Sequence, residues 1–531
     1  MGRLLNAKRV TLAVAMLVVA LLGILPMFAM LARSFFTEGA FGFDNYARTL
    51  GRARAWTLIL NSTVLAGLST LAALLIGLPL AVAAVRSTAP LLRLIVAIFC
   101  LPLLFPPYVL ANGWFQILGR QGVLSGWLGE SAAAVTSFWL FALPGGVLVL
   151  TTAFLPVVLL LSIASLGSVN PALEDAARLH CGWWRVLTRI TLPLARPGIL
   201  LAAVLTFLLA IGELAAPSYL RLNVFPVETL TQFSAFYDAG AATAAAAPFA
   251  VAAWLLLSAA QKWMGSGDYH FRWALAGSSP MSLGGWGPWI AGAALVLAFA
   301  MVILPCGALV ARGLSGAAIA DAWRRAADSM AWSLFYSAAA ATAITLLGFL
   351  LGYASQREGI RGSNLIGLAT LILFALPGTL IGIGLVIAWN RPSLAWLYAS
   401  PAALVAGFTM QYAAIGERGI ASGLAQLSPS LEEAAQMAGA GWLRRAAKIL
   451  APLLRTPLLA VWMLSFILCL RDTSLPLLLS PPGQDTLTAR TLTLMANGSP
   501  ELISALCLFS IALPAVPAIA GLLLFRAARR S

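Results

Sequence analysis

The chain has 531 residues, 61% of them hydrophobic and only 10% charged, against about 25% charged in an ordinary soluble domain. That balance excludes a soluble globular enzyme and describes a protein whose solvent is lipid. The formal charge of +15 does not point to nucleic acid, because the 33 Lys and Arg are scattered in small groups between apolar stretches instead of forming one stripe.

In chain order, Arg3 to Arg9 precede an apolar run from Val10 to about Leu31. That run is longer than the roughly 7 to 15 residues of a signal-peptide core, so it reads as the first span. Apolar windows predict six spans near 10–32, 58–84, 91–118, 139–166, 190–215 and 243–263. A polar stretch, 265–287, reads as a linker, with Lys262 and Arg272 nearby. Six more spans follow near 288–311, 333–354, 364–389, 401–424, 449–470 and 500–525. The expected fold is therefore an all-α polytopic membrane protein of about 12 transmembrane helices, with a first module at 1–264 and a second at 288–531.

An even number of spans puts both termini on one side. Lys and Arg resist translocation, so Arg3, Lys8, Arg9, Arg526, Arg529 and Arg530 mark that side as cytoplasmic. The loops after spans four and ten agree, with Arg178, Arg185 and Arg189 in one and Arg444, Arg445 and Lys448 in the other. The loop after span one runs against this, holding Arg48, Arg52 and Arg54 on the predicted outside.

Several spans are interrupted, at Pro102, Pro106 and Pro107 in span three and at Pro377, Gly378, Gly382 and Gly384 in span nine. Freed backbone groups inside a membrane are tolerated only against protein or a watery cavity, so these breaks are candidates to line a pathway. Glu213 and the Arg471-Asp472 pair stand at the outer ends of spans five and eleven, where charge is costly unless paired or wet. They are candidates for an outer gate, and Glu417 and Arg418 read as a local ion pair. The five cysteines form no CxxC pair and read as small hydrophobes. His180 and His270 are far apart, so no metal site is expected.

The halves repeat one another. Leu173-Glu174-Asp175-Ala176-Ala177 matches Leu431-Glu432-Glu433-Ala434-Ala435, Ile190 to Pro193 matches Ile449 to Pro452, and Leu101-Pro102 matches Leu376-Pro377. Glu213 and Pro217 likewise match Asp472 and Pro476. With six spans per half, both copies insert the same way up, about an axis along the membrane normal. Asn170-Pro171 and Ser428-Pro429 each place a capping side chain before a proline suited to a first helical position. Acidic residues then meet the helix dipole. A short amphipathic helix follows, ended by Gly182 in one copy and by Gly439 and Gly441 in the other.

These two loops, 170–189 and 428–448, resemble the EAA loop of bacterial ABC importer permeases. The second copy follows that pattern in Glu433-Ala434-Ala435, Gly439 and Ile449 to Pro452. In the first, Asp175 precedes Ala176-Ala177, Cys181 stands at the glycine position, and the spacing to Pro193 is one residue shorter. The resemblance implies that Glu174, Asp175, Ala176, Ala177 and Gly182, with Glu432, Glu433, Ala434, Ala435 and Gly439, dock two separate ATPase subunits at the cytoplasmic face of a bacterial inner membrane. Apart from that resemblance, the broken spans and costly charges make Pro102, Pro107, Glu213, Pro377, Gly378, Arg471 and Asp472 the candidates for the pathway or gate, Glu213 and Arg471-Asp472 being alternatively a docking surface for a substrate-delivering protein. No Gly-Lys dipeptide occurs, so a phosphate-cradling GxxxxGK[ST] loop is absent. The chain is thus expected to bind no cofactor, ATP being used by its partners.

Wider fragments, Leu101-Pro102 through Pro106-Pro107-Tyr108, Leu376 to Thr379, Trp389 to Pro392 and Pro481-Pro482-Gly483, resemble the fused ferric-iron permeases. Relatives carrying thiamine, polyamines or phosphonates share similar pieces. A periplasmic binding protein delivering the cargo is implied. The rival classes are a secondary carrier, which would need ionisable residues near mid-membrane, and a membrane-embedded enzyme, which would need a convergent catalytic set.

Overall fold

The computed structural model describes residues 2–37, 40–87, 90–120, 122–235, 238–264, 287–358 and 363–530, and these are helical almost throughout. Of the stretch read as a linker, only Gly287 falls within the described residues, opening the helix Gly287–Ala298. Helices dominate because lipid offers no partner to a backbone N–H or C=O, so each must be satisfied within its own segment.

Among the described residues, eight helices are long and apolar enough to cross a bilayer: Lys8–Ser34, Ala53–Arg86, Leu143–Gly167, Trp183–Ile211, Gly240–Ala259, Trp289–Gly313, Gly316–Arg357 and Pro500–Pro517. Three further spans are bent pairs, Leu91–Leu103 with Pro107–Trp127, Leu365–Ala375 with Gly378–Trp389, and Trp442–Leu453 with Arg455–Arg471. The remaining predicted span, the tenth, is the helix Pro401–Ala425. It lacks the apolarity of the others because it carries Gln411, Glu417 and Arg418, yet most of its residues are buried. Glu417 does not form the expected ion pair: its Oε2 accepts a hydrogen bond from the Thr370 hydroxyl at 2.6 Å, while Arg418 is exposed.

The breaks have local causes. Pro106 and Pro377 hold extended backbone immediately before the helices Pro107–Leu118 and Gly378–Trp389, and span nine turns there by 111°. Span eleven bends by 80° between Leu453 and Arg455, a break the sequence reading did not anticipate. The ring of Pro457 would clash there with the carbonyl four residues earlier, on Leu453.

The duplication extends to fine detail. A π turn, Ala20–Ile24, precedes Leu25-Pro26 in span one, and another, Phe299–Ile303, precedes Leu304-Pro305 in span seven. The wider turn absorbs the hydrogen bond that proline cannot donate. These first spans are exchanged between the halves. Ala15 and Val19 of span one pack with Tyr336, Leu347 and Phe408 of the second half. Ala298 and Met301 of span seven pack with Ala73, Leu80 and Leu155 of the first. Backbones meet at both crossings: a Cβ on Gly113 would lie 2.6 Å from the Pro305 carbonyl oxygen, and one on Gly384 would lie 3.2 Å from that of Pro26.

Candidate functional site

Two constellations stand at opposite ends of spans five and eleven. The first comprises the loops after spans four and ten. Pro171–Arg178 is a helix capped by Asn170, whose side chain accepts from Ala172 N at 3.0 Å. Its counterpart is Ser430–Met437, preceded by Ser428, whose hydroxyl accepts from Ser430 N at 3.4 Å. Each helix leads into a short helix, Trp183–Val186 or Trp442–Arg445, and then a π turn, Leu187–Thr191 or Ala446–Leu450.

In each of these two surface helices the two adjacent acidic residues face opposite ways. Glu174 is 0% exposed and Glu432 is buried, whereas Asp175 and Glu433 are exposed. Glu174 Oε1 is 2.8 Å from Arg86 Nη2 and accepts from the Thr191 hydroxyl at 2.6 Å. Glu432 Oε1 is 3.2 Å from Arg357 Nε, and its Oε2 accepts from the Tyr353 hydroxyl at 2.9 Å. Arg86, Arg357, Tyr353 and Thr191 were not singled out from the sequence. The available signal was a lone arginine closing the second apolar span of each half.

What remains at the surface is one acid among exposed apolar side chains, Asp175 also lying 3.7 Å from the Arg178 guanidinium. Leu173, Leu179 and Trp184 are exposed around Asp175 and Ala176, and Leu431, Met437 and Leu443 around Glu433 and Ala434, with Leu179 at 82% and Met437 at 89%. Ala177 and Ala435 are half-buried beneath them. Lys8 lies 5.0 Å from the Tyr353 ring, so the N-terminal segment shares the face of the second loop.

The two turns differ. Gly439 adopts φ +79°, and the bonds Ala440 N to Ala435 O at 3.0 Å and Gly439 N to Gln436 O at 2.9 Å complete a Schellman cap. Gly182, read above as the helix breaker of the first copy, has φ −71° and ψ 160°, matching Gly441 at φ −64° and ψ 159°. It opens the next helix and does not end the previous one. The first loop is shorter by the left-handed residue, and Cys181 N closes its turn on Ala177 O at 3.0 Å. Gly439→Ala is therefore expected to lower stability by about 1–2 kcal/mol, the cost of a Cβ in left-handed backbone. Gly182→Ala should change it little, since nothing lies within 4 Å of its added Cβ. Thermal unfolding in detergent compares the two.

The second constellation gathers residues far apart in sequence. Arg471, 9% exposed, donates from Nη1 to the Leu103 carbonyl at 3.1 Å, reaching from the second half into the Pro102 turn of span three. Its guanidinium lies 6.0 Å from the Phe154 ring and within electrostatic reach of Glu213 and Asp472. Asp472 Oδ2 accepts from the Tyr412 hydroxyl at 2.8 Å, and Oδ1 from Leu475 N at 3.1 Å. Glu213 Oε1 accepts from Ala215 N at 3.1 Å, so both acids tether the chain entering a short helix. A Cβ on Gly212 would touch Pro377 Cα at 3.4 Å, and one on Gly378 would lie 3.1 Å from Ser474 Cβ. The fold thus brings Pro102, Glu213, Pro377, Gly378, Arg471 and Asp472 to one junction between the halves. Pro107 begins the half-helix leading away from it. Arg54 of the basic loop after span one is paired with Glu228 at 2.9 Å.

A duplicated helical bundle with paired surface footholds at one end and a convergent junction at the other has the architecture of a polytopic transport permease. Residues 344–530 match the family described as the binding-protein-dependent transport system inner membrane component. The chain is 24% identical over 502 residues to the ferric transport system permease protein FbpB of Actinobacillus pleuropneumoniae, covering 89% of this chain and 72% of that one. Over 187 residues it is 34% identical to the molybdenum transport system permease protein ModB of Escherichia coli K12, covering 34% of this chain and 78% of the relative. ModB of Mycobacterium tuberculosis is 32% identical over 168 residues, covering 30% and 60%. The chain belongs to the family of inner-membrane components of binding-protein-dependent transport systems, the permeases of ABC importers.

Proposed function

We propose that this chain carries both permease halves of an importer, with each half (1–264 and 288–531) receiving one of two ATPase subunits on its docking loop. The observation that carries this reading is the pair of matched surface helices, each presenting one exposed acid, Asp175 or Glu433, among exposed apolar side chains. Ala176, Ala177 and Gly182, with Ala434, Ala435 and Gly439, belong to the same two surfaces. ATP is bound and hydrolysed by the partners. Most of the Lys and Arg lie on the side of the docking loops, supporting a cytoplasmic position for those loops and both termini.

A periplasmic binding protein delivers cargo to the opposite face, where the junction of Pro102, Glu213, Pro377, Gly378, Arg471 and Asp472 forms the outer gate. Trp183–Ile211 has 29 residues, roughly 43 Å at 1.5 Å rise, so a span that begins at a docking loop ends at the gate. Ferric iron is the first choice of cargo, since the ferric permeases match nearly the whole chain. A molybdenum oxyanion is the second reading, favoured by the higher identity to ModB over 187 residues.

The test is reconstitution in liposomes with the ATPase and binding protein encoded beside this chain. ATP-dependent uptake of ferric iron is expected. Combining Asp175→Arg with Glu433→Arg, both on exposed positions, should cut ATPase co-purification at least tenfold without changing the melting temperature. Uptake driven by an ion gradient without ATP would instead make the chain a secondary carrier, and uptake of molybdate alone would reassign the cargo.

A further inference from the structure

We propose that Arg86 and Arg357 are coupling clamps that carry the motion of each docking helix into the spans, and that Glu174 and Glu432 serve this clamp instead of contacting the ATPase. The inference rests on the docking reading above and assigns a new role to its buried face.

In each half a single guanidinium ties three elements together. Arg86, the last residue of span two, is 2% exposed. One of its nitrogens, Nη2, lies 2.8 Å from Glu174 on the docking helix and donates to the Leu166 carbonyl at the end of span four at 3.0 Å. Arg357, closing span eight, lies 3.2 Å from Glu432. It donates to the carbonyls of Leu424 and Leu427 at the end of span ten, at 3.2 and 2.7 Å. Leu166 and Leu424 precede their glutamates in the same register, so the clamp is duplicated along with the fold. Thr191 extends the first clamp to the start of span five. In the second, Arg445 donates to Glu432 O at 3.3 Å and to Gln436 Oε1 at 2.7 Å.

Packing alone does not call for this chemistry. Burying an ion pair costs desolvation that an apolar pair of similar volume avoids, often with no loss of stability. What the ion pair adds is a buried charge attraction between the docking helix and the span, which an apolar pair lacks, while the same guanidinium holds the carbonyls at the end of the neighbouring span. A docking helix of eight residues held in this way cannot slide over the bundle without drawing spans two and four, or eight and ten, with it.

The full complex in liposomes tests the clamp through transported cargo per ATP hydrolysed. Glu432→Gln is expected to leave co-purification of the ATPase at the parent level and to lower that ratio about tenfold. The double replacement Arg357→Met with Glu432→Met, which fills the space without charge, should remain folded and still bind the ATPase, yet keep the low ratio. A parental ratio in the double variant would show that only packing matters and overturn the proposal. Loss of ATPase binding in either variant would overturn it too, by making Glu432 an assembly residue. The exposed Asp175→Arg and Glu433→Arg variants report on docking itself, so failure of that reading is distinguishable from failure of the clamp.

Discussion

Gly348→Leu is expected to abolish accumulation of folded protein. Span eight, Gly316–Arg357, crosses span ten, Pro401–Ala425, with their backbones in contact. A Cβ on Gly348 would stand 2.3 Å from the carbonyl carbon of Gly416, and one on Gly416 would stand 2.5 Å from Ile344 O. Small residues permit this approach, and within lipid it is van der Waals contact between helices that holds them together. A single excess methyl group in a packed core costs about 1–3 kcal/mol, and leucine adds far more volume at a point where neither backbone can yield. Span ten has a second reason to leave. Gln411 donates to Leu376 O at 3.1 Å and Glu417 is held by Thr370, contacts that exist only while the helix is seated. Membrane abundance and gel-filtration profile in detergent should collapse for Gly348→Leu and remain normal for Gly67→Ala, whose added Cβ meets nothing within 4 Å.

The duplication and the two short surface helices after spans four and ten were legible because their signals are local. A capping residue, a proline and an acidic turn declare a helix start wherever they stand, and Asn170 and Ser428 both act as expected. The breaks at Pro102 and Pro377 were legible for the same reason. What the sequence did not disclose depends on partners distant along the chain. Glu174 and Asp175 are adjacent, and nothing nearby says that the first turns inward to Arg86. The exchange of spans one and seven was equally hidden, because a helix that is apolar all round has no face to read. Only the shared Ile-Leu-Pro runs, Ile24 to Pro26 and Ile303 to Pro305, hinted that the two are equivalent. The convergence of Pro102, Glu213, Pro377 and Arg471 is likewise a property of the tertiary fold, although each position was marked as costly or irregular on its own.

If the junction around Arg471 is the outer gate proposed above, Arg471→Met should make it leak. Arg471 has no counterpart in the first half, where Gly212 precedes Glu213 as Arg471 precedes Asp472, so the seal between the halves is lopsided. Its hydrogen bond to Leu103 O crosses the junction, and a bond from a charged donor contributes about 1.5–3 kcal/mol. Loss of that tie favours separation of the outer ends roughly tenfold or more, at 1.4 kcal/mol per factor of ten. If ATP hydrolysis accompanies that separation, the complex carrying Arg471→Met should hydrolyse ATP about tenfold faster without cargo. The substitution also removes the positive charge within electrostatic reach of the half-buried Glu213 and Asp472, which lowers stability. Combining it with Glu213→Gln separates the two effects. The double variant should regain much of the melting temperature, because one uncompensated charge is gone, and should keep the elevated hydrolysis, because the tie to Leu103 is still missing. Hydrolysis that returns to the parent rate along with stability would mean that charge balance, and not the link across the junction, holds the gate shut.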